Sequence, residues 1–287
     1  MTVNRTHSIK RRKITTNILY HTIISLISIG MLYPLLWMLS SSFKPNKEIF
    51  STVEQLIPRH FTPENYVNGW RGFAGISFGV YFGNSLLIAG VSTIGVALSS
   101  AMVAFGLARL RFPGRNFWFI CMIVTMMLPG QVMMIPRFVL FNTIGWVGTF
   151  LPLTVPAFLG SAFDIFLVMQ FIRGIPRDMD EAAVIDGCSW FRVFVSIIIP
   201  MIIPALVTVG ILTFINSWND FMGSLLYLNS PTMYTSAYAL KLFTDSAGTD
   251  FGATFAMSVY SLVPILVIFF FFQRQLVEGI STQGLKG

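Results

Sequence analysis

Residues 178–187 read Asp178-Met179-Asp180-Glu181-Ala182-Ala183-Val184-Ile185-Asp186-Gly187, a polar island between two apolar stretches, 150–171 and 194–217. Trp190-Phe191 and a run ending in Ile199-Pro200 follow it. Each flanking stretch is long enough to cross a bilayer as a helix, which takes roughly 20 apolar residues. Working outward, stretches 17–39, 82–108, 116–136 and 254–273 have the same character. The sequence therefore predicts an all-α membrane protein with six transmembrane helices, a single membrane domain over 1–287. The composition agrees: 54% of residues are hydrophobic, only 11% are charged, and mean hydropathy is +0.72. Soluble domains carry about 25% charged residues, so this chain has too little charge to cover a globule. Strand-like alternation is absent, and helices are the remaining way to satisfy the backbone in lipid.

Charge placement predicts the orientation. Thirteen of the nineteen Lys and Arg fall on the side shared by the termini: Arg5, the run Lys10-Arg11-Arg12-Lys13, Arg109, Arg111, Arg115, Arg173, Arg177, Arg192, Arg274 and Lys286. The positive-inside rule puts that side in the cytoplasm. This gives a cytoplasmic N-tail 1–16, an external loop 40–80, a cytoplasmic loop 172–193 holding the island, an external loop 218–253 and a cytoplasmic C-tail 274–287. Basic residues flanking spans account for the net charge of +7 without nucleic acid. The first apolar stretch is too long for a cleaved signal peptide, and no small-x-small site follows it.

No catalytic chemistry emerges. A phosphate-binding Gly-x-x-x-x-Gly-Lys-Ser/Thr loop is missing, so the chain is not expected to hydrolyse ATP. A Gly-x-Ser-x-Gly elbow is missing too. His7, His21 and His60 are scattered, and Cys121 and Cys188 lack metal-ligand spacing, so no metal site is expected. The spans hold no series of carboxylates or histidines to relay protons. Asp164 is the one carboxyl expected well inside a span. It either lines a pathway or hydrogen-bonds a neighbour such as Ser161 or Gln170. The second span is rich in Gly, Ala and Ser, which lets helices approach closely in lipid. Pro129, Pro136, Pro200 and Pro204 are expected to kink their helices.

Within the island, Pro176 ends the preceding helix. Asp178 is placed to cap a short helix over 179–186, with Glu181 at the capping-box position. Gly187 is placed to end it in the left-handed conformation, and Ser189 to cap the next helix. Ala182 and Ala183 make this helix thin, while Met179 and Ile185 give it apolar surface. A thin, partly apolar helix facing the cytoplasm suits a groove on a partner protein.

Glu181-Ala182-Ala183, Asp186-Gly187 and Ile199-Pro200 resemble the coupling motif of ABC-importer permeases. Further stretches resemble the smaller permease of the carbohydrate, maltose-type branch. They are Trp37 to Lys44 with Glu48-Ile49-Phe50, Asn84-Ser85, Ala108 to Arg115, Met127-Leu128-Pro129 to Pro136, Trp218-Asn219-Asp220-Phe221 and Gly284-Leu285-Lys286-Gly287. The likeness spans nearly the whole chain. Cys188 departs from the small residue usual there, and an acid at Asp164 is not a general feature of the family.

The resemblance implies a type I importer permease fold in a bacterial cytoplasmic membrane. It implies a second homologous permease, two ATPase subunits that bind ATP and Mg, and an external or periplasmic binding protein that delivers an oligosaccharide. This chain would bind no cofactor itself. Glu181, Ala182, Ala183, Ile185, Asp186 and Gly187 would couple to the ATPases, and Gln283, Gly284, Lys286 and Gly287 would reach between them. Asp164 and Asn219 are candidates for the substrate pathway. Two alternatives stand beside this reading. One is an importer permease for a polyol or glycerol phosphate ester, although a phosphate would call for intramembrane Arg or Lys. The other is a self-sufficient secondary transporter, which the coupling motif opposes.

Overall fold

The computed structural model describes residues 3–73, 75–245 and 250–281. Among them the chain is helical, with no strand beyond one isolated bridge between Phe73 and Ile76. The helices are α1 Val3–Ser41, α2 Asn46–Ile49, α3 Glu64–Arg71, α4 Phe78–Arg109, α5 Arg115–Met126, α6 Met134–Thr143 and α7 Leu151–Thr154. They continue as α8 Ala162–Gly174, α9 Asp178–Ile185, α10 Trp190–Val193, α11 Ile199–Trp218, α12 Phe221–Tyr227, α13 Ser236–Asp245 and α14 Phe251–Ser281. Among the described residues, five stretches are long and apolar enough to span a membrane: Thr16–Ser41, Phe78–Arg109, Leu151–Gly174, Trp190–Trp218 and Phe251–Gln275.

The third expected span needs correction. Residues 116–136 do not form one helix: α5 stops at Met126, turns follow, and α6 starts at Met134. Pro129 cannot donate an N–H and disfavours helix at Leu128. Met127 and Leu128 instead donate to carbonyls three residues back, those of Val124 and Thr125. Pro136 lies in the first turn of α6, where the missing N–H would have had no helical partner anyway. The fourth span is also interrupted: a 3₁₀ turn, Val155–Leu159, leads to Gly160 at φ 94°, and α8 begins afresh. In the fifth, the expected disturbance at Pro200 takes the form of a π turn, Phe194–Ile198, in which the Ile199 N–H reaches back to Phe194. The wider turn accommodates a ring that would crowd a regular one.

The chain divides into two compact units. In the first, residues 1–69 and 246–260, Lys44 is fully buried and its ammonium donates to the carbonyls of Thr52 at 3.0 Å and Gln55 at 2.6 Å. Asn65 donates to the carbonyls of Ser42 and Lys44. Glu48 accepts the backbone N–H groups of Arg59 and His60. Phe50 meets Phe251 edge to face, and Asn46 bonds Asp250.

In the second unit, residues 70–245 and 261–287, α4 packs against α8 and α11. Ala101, Ala104 and Ala108 of α4 face Val168, Met169, Ile172, Ile202 and Ala205 in one core. These alanines of α4 pack as expected, whereas a Cβ at Gly83 or Gly90 would meet nothing within 4 Å. Two serines also do more than make room: Ser92 and Ser99 donate to the carbonyls of Leu153 and Ala157, in and beside the interrupted fourth span. Backbone groups beside a helix break need such partners within lipid.

Candidate functional site: the α9 helix and its anchor

Helix α9 runs 178–185, one residue earlier than expected, and its capping differs. Arg177 already has helical angles, φ −71° and ψ −25°, so Asp178 falls inside the first turn and makes no side-chain cap bond. The expected Asp178–Glu181 capping box is absent. Asp178, Asp180 and Glu181 still place negative charge at the end of the helix dipole that favours it.

The other end forms as expected. Gly187 has φ 85°, its N–H donates to Val184 and the Cys188 N–H donates to Ala183. This paired pattern is a Schellman ending, which satisfies two carbonyls that the helix leaves free. Ser189 then caps α10 through a bond from the Arg192 N–H.

The helix has two faces. Met179, Ala182 and Ile185, three residues apart, are exposed, and Ile185 is 85% exposed. Opposite them, Ala183 and Cys188 pack against the core shared by α4, α8 and α11. Hence the two alanines are not equivalent: Ala182 is exposed, while Ala183 lets the helix lie close to its own protein. Asp180 is only 2% exposed, and its Oδ2 lies 2.6 Å from Nε of Arg109, the last residue of α4. Arg109 also donates through Nη2 to the carbonyl of Ile175 at 2.7 Å. The guanidinium thus joins the end of α4 to the chain entering α9 and to α9 itself.

The ionic contact is close but poorly aligned. Neither oxygen of Asp180 receives an aligned hydrogen bond. Burial pushes the Asp180 carboxyl above its usual range, against the pull of Arg109 and Arg177. Sequence reasoning missed this pair, counting Arg109 toward the charge bias and as part of the Ala108 to Arg115 stretch but not as an anchor for α9. The available signal was Asp180 itself, an acid three residues before Ala183 on the inward face.

The remaining site residues are dispersed. Glu181 and Asp186 are exposed on α9. Asp164 is buried in the first turn of α8, with the Ser161 side chain as its polar neighbour. Asn219 is exposed at the end of α11 and donates to the Ile215 carbonyl. No hydrogen bond joins Asp164 to Asn219 among the described residues. Asp220 caps α12 by accepting the Gly223 N–H, and the Trp218 indole donates to Ser261. The Trp218-Asn219-Asp220-Phe221 motif therefore builds a corner between helices. Gln283, Gly284, Lys286 and Gly287 lie outside the described residues. No group of three His, Cys, Asp or Glu could hold a metal among the described residues.

Apolar helices long enough to span a membrane, with a short helix anchored beside them, define a membrane protein. Residues 94–281 match the family described as the binding-protein-dependent transport system inner membrane component, and the chain belongs to it. It is 35% identical over 260 residues to the probable ABC transporter permease protein YurM of Bacillus subtilis, covering 90% of this chain and 85% of that protein. The arabinooligosaccharides transport system permease protein AraQ of Halalkalibacterium halodurans is 34% identical, over 89% of this chain and 91% of its own. The fold is that of a type I ABC-importer permease. A chain of a bacterial ABC transporter involved in import of the acidic polysaccharide alginate superimposes with a TM-score of 0.79 at 20% identity, covering 92% of this chain and 97% of that one.

Proposed function

We propose that this chain is one membrane-spanning subunit of an ATP-driven sugar or oligosaccharide importer in a bacterial cytoplasmic membrane. Both termini and α9 lie on the cytoplasmic side, as the charge bias favours. The observation that carries the reading is the two-faced helix α9: apolar and exposed on one side, tied by Asp180 and Arg109 to a spanning helix on the other. Its exposed face docks on one of two ATPase subunits, which bind ATP and Mg. The pair of charges passes the movement of the docked helix to α4. Glu181, Ala182, Ile185, Asp186 and Gly187 form the docking side, and Ala183 sets how closely the helix lies on its core. Gln283, Gly284, Lys286 and Gly287 add a contact with the ATPases. A second, homologous permease completes the pathway, and an external binding protein supplies the substrate. The arabinooligosaccharide permease among its relatives supports a carbohydrate cargo.

The test is reconstitution of the whole importer in proteoliposomes. Glu181→Ala and Gly187→Val should insert normally but lower sugar uptake and transport-linked ATP hydrolysis. Normal values of both in both variants overturn the coupling role of α9. For Asp164 and Asn219, the proposed pathway role competes with a structural one, which the burial of Asp164 and the bond of Asn219 to the Ile215 carbonyl favour. Asp164→Asn should then leave uptake nearly unchanged, while Asp164→Leu impairs assembly. A changed sugar preference in the Asn variant assigns Asp164 to the pathway instead.

A further inference from the structure

Beside the α9 anchor, Arg109, Arg111, Arg177, Glu181 and Trp190 line a cleft of about 630 Å³. A smaller cavity of about 320 Å³ adjoins it, lined by Arg111, Gly114 and Arg115. A third, of about 470 Å³, is apolar, with Val103, Leu107, Trp118, Met122 and Ile165 in its wall. Phe112 lines all three, so the arginine-lined space and the apolar groove meet at one side chain. The cavities lie where α4 ends and α5 begins, at the ends of apolar helices, with Trp118 and Trp190 exposed.

The charges are unequal. Asp180 pairs with Arg109 and also feels Arg177, and Glu181 is the only other carboxylate in the lining of the two arginine-bearing cavities. Among the described residues no ion pair engages the guanidinium groups of Arg111, Arg115 and Arg177. Guanidinium forks match phosphate oxygens. Tryptophans favour the headgroup level of a bilayer, and basic pockets between spanning helices take anionic headgroups. A free phosphate would use the charge but not the groove; a phospholipid uses both.

We infer that this composite cavity is a binding site for an anionic phospholipid. Arg111, Arg115 and Arg177 hold the phosphate, and one acyl chain lies in the groove past Phe112 toward Met122. The inference needs only that the chain sits in a membrane, so it stands or falls separately from the importer reading.

The test uses the protein purified in its native assembly, delipidated in detergent and titrated with dioctanoyl phosphatidylglycerol or dioctanoyl phosphatidylcholine. Bound lipid is counted by native mass spectrometry. The site predicts at least tenfold tighter retention of phosphatidylglycerol. Arg111→Gln with Arg115→Gln should remove that preference, and Met122→Trp, which fills the groove, should weaken both lipids. Arg111→Lys with Arg115→Lys keeps the charge and should retain most of the preference, which separates lost binding from lost folding. Inorganic phosphate should not displace the lipid. Equal retention of the two lipids by the natural protein overturns the inference. So does an unchanged preference in the Gln variant, or displacement by phosphate at matched concentration.

Discussion

Lys44 and Arg109 are both buried cations, and their charges are met in opposite ways. Lys44 has no carboxylate partner among the described residues: its ammonium is held by the carbonyls of Thr52 and Gln55 and, at 3.4 Å, by the Thr52 hydroxyl. Those partners lie only eight to eleven residues away, so the charge folds one segment onto itself. Arg109 takes a full negative charge from another helix, with the Ile175 carbonyl beside it. The first arrangement can only stiffen a loop. The second joins a spanning helix to a helix whose far face is exposed and apolar, so a push on that face has somewhere to go.

The largest expected effect comes from breaking the ion pair on one side. Asp180→Leu leaves Arg109 buried and unpaired, which costs about 3–5 kcal/mol. Thermal unfolding of the assembled complex should show it as the most destabilised variant. Lys44→Met removes a buried charge along with its bonds and leaves carbonyl oxygens without donors, for which a cost of about 1–3 kcal/mol is expected. Its loss should be confined to the 40–69 segment, with transport-linked ATP hydrolysis preserved in the surviving complex. A coupling defect as large as that of Asp180→Leu would erase the distinction between the two cations.

Gly187→Val comes next. A Cβ at Gly187 meets nothing within 4 Å, so the penalty is the backbone strain of φ 85°, roughly 1–2 kcal/mol. Glu181→Ala should barely change the unfolding temperature, since Glu181 makes no cap, yet should lower coupling. A Glu181 variant that destabilises as much as Gly187→Val would mean that its role is structural.

What the sequence disclosed about α9 was local. A glycine after a short helix and a serine before the next one are signals contained in a few residues, and Gly187 and Ser189 act as those signals say. Asp178 failed as a cap because helix start depends on the angles of the preceding residue, and Arg177 turns helical first. The six apolar stretches were legible in composition. The break after Met126 was not, because apolar residues run through it and Pro129 was read as a kink. Arg109 was illegible as an anchor because its partner is distant in sequence. Only folding brings the end of α4 to Asp180.

The smallest expected effect is on pH dependence, where two carboxyls should behave oppositely. The Arg59 backbone N–H holds Glu48 below the usual carboxylate range, with His60 adding to it against desolvation. Its contribution is present above the unfolded-state value and is lost as pH falls through the lower folded one. Asp180 is shifted up, so its contribution is greatest in acid and is lost as pH rises through the raised folded value. Removing Glu48 with Glu48→Gln should flatten the acid limb of the stability profile, and Asp180→Asn should leave that limb in place. A profile unchanged by Glu48→Gln would contradict the assignment.

The central claim is that the Arg109–Asp180 contact transmits the motion of α9 to the spanning helices. The most direct measurement is the ratio of sugar imported to ATP hydrolysed, in proteoliposomes, for the single variants Arg109→Leu and Asp180→Leu and for their combination. Replacing both partners by apolar residues removes the unpaired charge and should recover most of the lost stability. The account predicts a double variant that is stable, assembles and hydrolyses ATP, yet imports several-fold less sugar per ATP than the natural protein. A stable double variant with the natural ratio would contradict it.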